Sequence, residues 1–161
     1  MDLIYIGKLV NTHGLKGEVK ILSDFKYKED VFKIDNVIYI NDNKYIIKSY
    51  RRHKVFDMII LDGIDSIEKA EELKGLDIYI KKSEYKFNGI LDEDLIGLDV
   101  YDNDIYKGKI VDIYKTNSSD LLVIEGKNKH MVPNIPEFVK EIDLKNNKIY
   151  IEYIRGLDNE D

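Results

Sequence analysis

Residues 4–22, IYIGKLVNTHGLKGEVKIL, read as two strands and the turn between them. Ile4 and Ile6, then Val19 and Ile21, recur at period two, the signal of half-buried strands. The intervening Asn11–Gly17 is dense in turn residues, and Gly14 and Gly17 stand where a positive backbone angle costs least. Gly7, inside the first strand, gives up packing there, which marks a bulge or another backbone passing close by. A tight hairpin is the economical reading. The alternative makes the turn a binding loop carrying His13, Gly14 and Lys16.

The rest of the chain repeats this pattern. Val37–Ile40 and Lys44–Tyr50 read as strands about the reversal Asn41–Asn43. Residues 24–33 read as a charged loop with at most one helical turn, in which Tyr27, Val31 and Phe32 can cover a barrel end. Arg51, Arg52, His53 and Lys54 form the densest basic cluster and precede the apolar strand Val55–Leu61. Two readings of that cluster stand: cations that neutralise RNA phosphate, or a strand edge guarded by positive charge. Ser66–Lys74 reads as a helix, capped by Asp65 or Ser66 and stopped at Gly75, with Ile64, Ile67, Ala70 and Leu73 as its docking stripe. Leu76–Ile80 returns as a strand, and residues 81–89 have the polar character of a linker.

The second half restarts at Asp92-Glu93-Asp94-Leu95-Ile96-Gly97, followed by expected strands at 98–101, 106–114, 121–124, 129–132 and 148–154. A short segment, 137–142, is expected to turn Val139 and Ile142 inward, and both prolines, Pro133 and Pro136, must avoid a central sheet position. Short strands with turn signals every eight to twelve residues are the pattern of small barrels. The expected fold is therefore mainly β, with two small β-barrels in series and one short helix on the first. The expected domains are 1–82 and 92–157, with a linker at 83–91 and a frayed acidic tail at 158–161.

With 161 residues, 43% of them hydrophobic, the chain can bury one ordinary core or two small ones. Tyr outnumbers Phe 12 to 5 and Trp is absent, which leans toward sheet. There is no cysteine, so disulfides, thiolate metal sites and Cys nucleophiles are excluded together, consistent with a reducing cytoplasm. No apolar run approaches the roughly 20 residues a spanning helix needs. Net charge is -6, unevenly divided: residues 87–161 hold 9 Lys+Arg against 16 Asp+Glu. Such a half repels phosphate and draws basic partners, or simply confers solubility.

Catalytic signatures are lacking. His13, His53 and His130 are far apart in sequence and none has a partner at metal-ligand spacing. Neither a phosphate-binding glycine loop ending in Lys-Ser/Thr nor a G-x-S-x-G elbow occurs. Ser118-Ser119-Asp120 reads as turn chemistry. The residues alone describe a two-barrel binding module with no enzymatic site, no metal and no cofactor.

Four segments, in register over nearly the whole chain, resemble the ribosome maturation factor RimM family. They are Gly7 with Thr12–Val19; Ile64 with Ala70–Gly75; Asp94–Gly97 with Val100, Gly108 and Val111; and Asp120–Val123 with Val132-Pro133, Ile142-Asp143 and Gly156-Leu157. The resemblance implies a monomeric, cytoplasmic, non-enzymatic assembly factor with a six-stranded N-terminal barrel and a PRC-type C-terminal barrel. It implies binding to the immature small ribosomal subunit through a basic protein of its head, and help in folding and processing the subunit's rRNA. A general RNA-binding barrel is the alternative. Candidate rRNA contacts are His13, Gly14, Lys16, Arg51, Arg52 and Lys54. Candidate ribosomal-protein contacts are Tyr85, Phe87, Ile90, Leu91, Asp92, Glu93 and Asp94. Family members commonly carry adjacent tyrosines just before the Asp-Leu-Ile-Gly element; here Ile90–Glu93 fill that slot, with Tyr85 and Phe87 the nearest aromatics.

Overall fold

The computed structural model describes residues 2–152, which fall into two compact units divided between Asn88 and Gly89. In the first, six strands close into an antiparallel barrel of order β1-β2-β5-β4-β3-β6: β1 (Leu3–His13), β2 (Glu18–Leu22), β3 (Val37–Ile40), β4 (Asn43–His53), β5 (Phe56–Leu61) and β6 (Asp77–Lys81). The opening hairpin forms as its alternation requires, with Ile4, Ile6, Val19 and Ile21 buried. β1 runs on to His13, so the turn is shorter than the polar stretch 11–17 suggests. Both readings of Gly7 hold at once. The register of β1 on β6 shifts between Tyr5 and Gly7, and a Cβ at Gly7 would lie 2.7 Å from the Leu22 carbonyl oxygen. At the next reversal Asn41 and Asp42 take φ of 52 and 65° between the paired Ile40 and Asn43, the two-residue hairpin whose twist suits flanking strands.

Three helical pieces decorate this barrel. α1 (Lys28–Val31) is the single turn expected in the 24–33 loop, and it buries Val31 and Phe32. α2 (Ile67–Glu71) is shorter than the apolar stripe suggests, because residues 72–74 continue as turns before Gly75. Ser66 caps it, its hydroxyl accepting from the Lys69 N–H at 3.2 Å, and the Thr12 hydroxyl donates to Glu71 at 2.7 Å, tying α2 to β1. A 3-10 turn, Lys82–Glu84, follows β6.

One ionised group is sealed into the first unit. Asp57 on β5 is fully buried, and its carboxylate accepts from the Tyr50 hydroxyl at 2.6 Å and the Lys28 ammonium at 3.0 Å, with an Arg52 guanidinium nitrogen 3.8 Å away. Lys28 also donates to the Ser23 carbonyl at 3.0 Å. A buried carboxylate persists only when paired and hydrogen-bonded. Here the pairing locks α1, the Ser23 segment, β4 and β5 together.

The second unit comprises α3 (Asp92–Leu95), β7 (Asp99–Asp102), β8 (Ile105–Lys115), β9 (Asp120–Glu125), β10 (Lys129–Pro133), β11 (Val139–Asp143) and β12 (Lys148–Ile151). The strands make one sheet of order β10-β9-β8-β7-β12-β11, and β12 joins β7 in parallel. Laid flat, the outer members of six strands would stand about 24 Å apart. Yet Val132 from β10 and Val139 and Ile142 from β11 pack on one cluster with Val100, Ile110 and Ile149, so the sheet curls around a single core. Pro133 ends β10, which is paired only with β9, in keeping with its missing N–H.

Three details depart from the sequence reading. Asp92–Leu95 is helical, its entry fixed by the Leu91 N–H donating to the Asp94 carboxylate at 2.9 Å. The sequence reading places no helix in this stretch, because a single turn is too short to show helical periodicity. The segment at 137–142 contains a full strand, hidden because only Val139 and Ile142 of β11 are apolar. The last strand ends at Ile151 within the described residues. Residues 153 and 154 of the expected strand, Gly156-Leu157 and the tail 158–161 lie outside them.

Three outcomes follow from this packing. Gly108 on β8 has φ of 126°, and a Cβ there would lie 2.3 Å from the Glu125 carbonyl oxygen. Gly108→Ala should therefore lower stability by about 3 kcal/mol or more, read as a fall in denaturant midpoint at unchanged slope. Asp57→Ala should cost about 3 kcal/mol, and Asp57→Asn less, because both remove the anion beside Lys28 but the asparagine keeps an amide oxygen to accept from Tyr50 or Lys28. Burial, then the Asp57 hydrogen bond, push the Tyr50 phenol up to about 12, and burial does the same for Tyr85. The fold thus favours the neutral phenols, so their contribution is complete below the ordinary pKa of 10 and is lost as pH rises toward 12. Titrating phenolate absorbance should find Tyr50 and Tyr85 among the late-ionising tyrosines, and Tyr50→Phe should remove one of them.

Candidate functional site

Alternation along β2 and β5 turns Val19, Ile21 and Ile59 into the first barrel and Glu18, Lys20 and Met58 to its outside. In register, His13 stands beside Glu18, while Lys20, Met58 and Arg51 make a row across β2, β5 and β4. Arg51 grips Glu18 with two hydrogen bonds, Nε at 2.9 Å and Nη2 at 2.8 Å. That contact, with the fields of His13 and His53, holds the Glu18 carboxyl below the usual carboxylate range. Lys20 lies over the Phe56 ring, 4.8 Å from its centroid. The outer face of β2, β5 and β4 therefore carries Lys20, Arg51 and His53 with the Phe56 ring, Glu18 the carboxylate among them and His13 on neighbouring β1, while Met58 at the centre of the row is fully buried.

Of the expected rRNA contacts, the structure brings His13 and Arg51 together about Glu18. Gly14 and Lys16 lie exposed on the adjoining turn. Arg52, the next residue along β4 from Arg51, turns toward Asp57, and its Nε donates to the Lys54 carbonyl at 3.3 Å, bracing the β4–β5 turn. The β3 ladder pairs with β4 only through Ile46, so Arg51–His53 occupy a ribbon held by β5 alone, and cationic edge and cationic patch coincide. The sequence reading missed Lys20, Glu18 and Phe56. Period two along EVKIL was a sufficient signal for the first two; Phe56 needed the register of β5.

The expected ribosomal-protein contacts are less available. Tyr85 and Phe87 belong to the first unit, where Phe87 stacks on Tyr85 at 5.5 Å and on Tyr27 at 5.2 Å and meets Phe25 edge-on at 5.5 Å. The Tyr85 hydroxyl donates to the Val37 carbonyl at 2.9 Å. In the second unit Leu91 is only 5% exposed and Ile90 packs on the core. Asp94 caps α3, Asp92 pairs with Lys115 at 2.7 Å, and Glu93 is exposed.

Nor does the acidity of this half gather at 92–94. Across the curled sheet, Asp143, Lys148, Asp99, Lys109, Glu125 and Lys129 stand in register on successive strands β11-β12-β7-β8-β9-β10, alternating in sign. Lys109 bonds Asp99 at 2.7 Å and holds its carboxyl below the usual range. Cross-strand pairs of opposite charge support the sheet. Along that row each acid faces a lysine, so the excess of acidic residues in this half lies off it.

Among the described residues no group of three or more His, Asp or Glu is arranged to hold a metal ion, and no helix is long and apolar enough to cross a membrane.

Comparison with known proteins covers both units. Residues 4–85 match the RimM N-terminal domain and residues 92–157 the RimM PRC barrel domain. The chain is 41% identical to the ribosome maturation factor RimM of Ligilactobacillus salivarius, over 98% of this chain and all of that one. It is 34% identical to that of a Staphylococcus aureus strain, over 96% and 98%. A crystal structure described as a 16S ribosomal RNA processing protein RimM, from Pseudomonas aeruginosa, aligns with a TM-score of 0.48 at 24% identity, covering 95% of this chain and 98% of that one. With both domain types matched in order and relatives matched end to end, the chain belongs to the ribosome maturation factor RimM family.

Proposed function

We propose that this protein is a non-enzymatic maturation factor of the small ribosomal subunit, which holds immature head rRNA with its first unit and a basic head protein with its second. The observation that carries the reading is family membership over both units together with the basic outer face of β2, β5 and β4. Lys20, Arg51 and His53, with Lys54 at the adjoining turn, suit phosphate, and the Phe56 ring beside Lys20 offers a flat apolar surface among the cations. Such contacts position a protein on RNA without reading sequence. The excess of acidic over basic residues in 87–161 suits a cationic polypeptide. A general RNA-binding barrel is less favoured, because the chain's net charge of -6 opposes binding to naked RNA.

Affinity capture of the tagged protein from growing cells should recover free small subunits containing unprocessed rRNA. Recovery of mature ribosomes only, or of nothing, would defeat the reading. Lys20→Ala and Arg51→Ala should each weaken binding to purified immature subunits and reduce the slope of log affinity against log salt by about 1. An unchanged slope in both variants would remove the basic face from the interface.

A further inference from the structure

The second unit carries a row of tyrosines that its register assembles and its sequence conceals. Tyr150 on β12 stands beside Tyr101 on β7, which in turn stands beside Tyr106 on β8. The rings of Tyr101 and Tyr106 meet edge-on at 5.5 Å, and those of Tyr101 and Tyr150 lie 6.1 Å apart. Their neighbours along the strands, Val100, Ile149 and Ile151, are buried, so the row lies on the outer face of the sheet. Tyr106 is 50% exposed.

Charge selects the occupant. Glu141 faces Tyr150 across β11 and β12, and Asp104 lies in the β7–β8 turn, two residues before Tyr106. On the opposite side the lysines are already matched: Lys109 by Asp99, and Lys148 by Asp143 in register. Lys107, the extra residue of the β8 bulge, is half-buried. The chain itself supplies an example of the contact, with the Lys148 ammonium over the Tyr101 ring at 5.3 Å. A tyrosine row bordered by carboxylates attracts ammonium and guanidinium groups through ring faces and charge together, and disfavours the phosphates of RNA.

We infer that the outer face of β12, β7 and β8 is a docking surface for an extended Lys/Arg-rich polypeptide segment, whose cationic side chains lie over Tyr106 and Tyr150 and reach Glu141 and Asp104. The inference rests on the reading of this protein as a partner of a basic ribosomal protein, and assigns the contact to a face away from residues 90–94.

The test uses the full chain and a fluorescent synthetic peptide with alternating Arg and Lys, followed by anisotropy, with a single-stranded RNA oligonucleotide as second probe. The peptide should bind, and Tyr106→Ala should weaken it about threefold or more while Tyr106→Phe keeps wild-type affinity. Exposed charge variants guard against a folding defect: Glu141→Gln with Asp104→Asn should weaken the peptide and flatten its salt dependence while leaving the melting temperature unchanged. No peptide binding, a Tyr106→Ala effect below threefold, or loss on that substitution of RNA binding or of self-association instead would overturn the inference. The capture of immature subunits is scored separately. If Tyr106→Ala captures them as wild type does and binds the peptide unchanged, the docking face fails and the maturation role stands. If wild type captures none but the peptide results hold, the maturation role fails and the docking face stands.

Discussion

The first barrel closes through two residue pairs, Tyr39 with Tyr79 and Ile40 with Ile78, and the rest of that unit depends on this short seam. A closed sheet leaves no run of unpaired backbone along its length and allows its inward side chains to share one dry interior. The direct pairing of β5 with both β2 and β4 in turn brings Arg51 onto Glu18 and Lys20 onto Phe56. The buried Asp57 works in the same sense: by engaging Lys28 and Tyr50 it fixes the segment after β2 against the hairpin whose far end carries the cations.

The second unit uses charge differently. Its sheet is bordered by two strand ends rather than closed by a seam, and cross-strand alternation of acids and lysines runs from β11 to β10. A net negative balance is therefore compatible with an outer face that is locally neutral along one row and aromatic along the next. What a cationic partner meets depends on which row it reaches, and side chains near the linker, Ile90 and Leu91, serve the core.

Much of the architecture was legible in the residues. Period-two alternation gave most strands of both units, and the polar turn residues gave the reversals. Elements with weak apolar signal were missed: β11, with two apolar residues in five, and α3, whose formation depends on one side-chain cap. The candidate site was legible in part. His13 and Arg51 could be named as basic or turn residues, but their meeting at Glu18 could not, because strands distant in sequence must first be paired.

By itself the sequence determined which side chains point to the same side of each strand, since that follows from backbone geometry and needs no partner. It also determined where the chain reverses and how charge divides between the halves. Only the tertiary structure decided which strands are neighbours, among them the parallel pairing of β12 with β7 that unites Tyr150 with Tyr101. Register is a property of two strands at once, and the energy that selects it comes from a core no single segment contains.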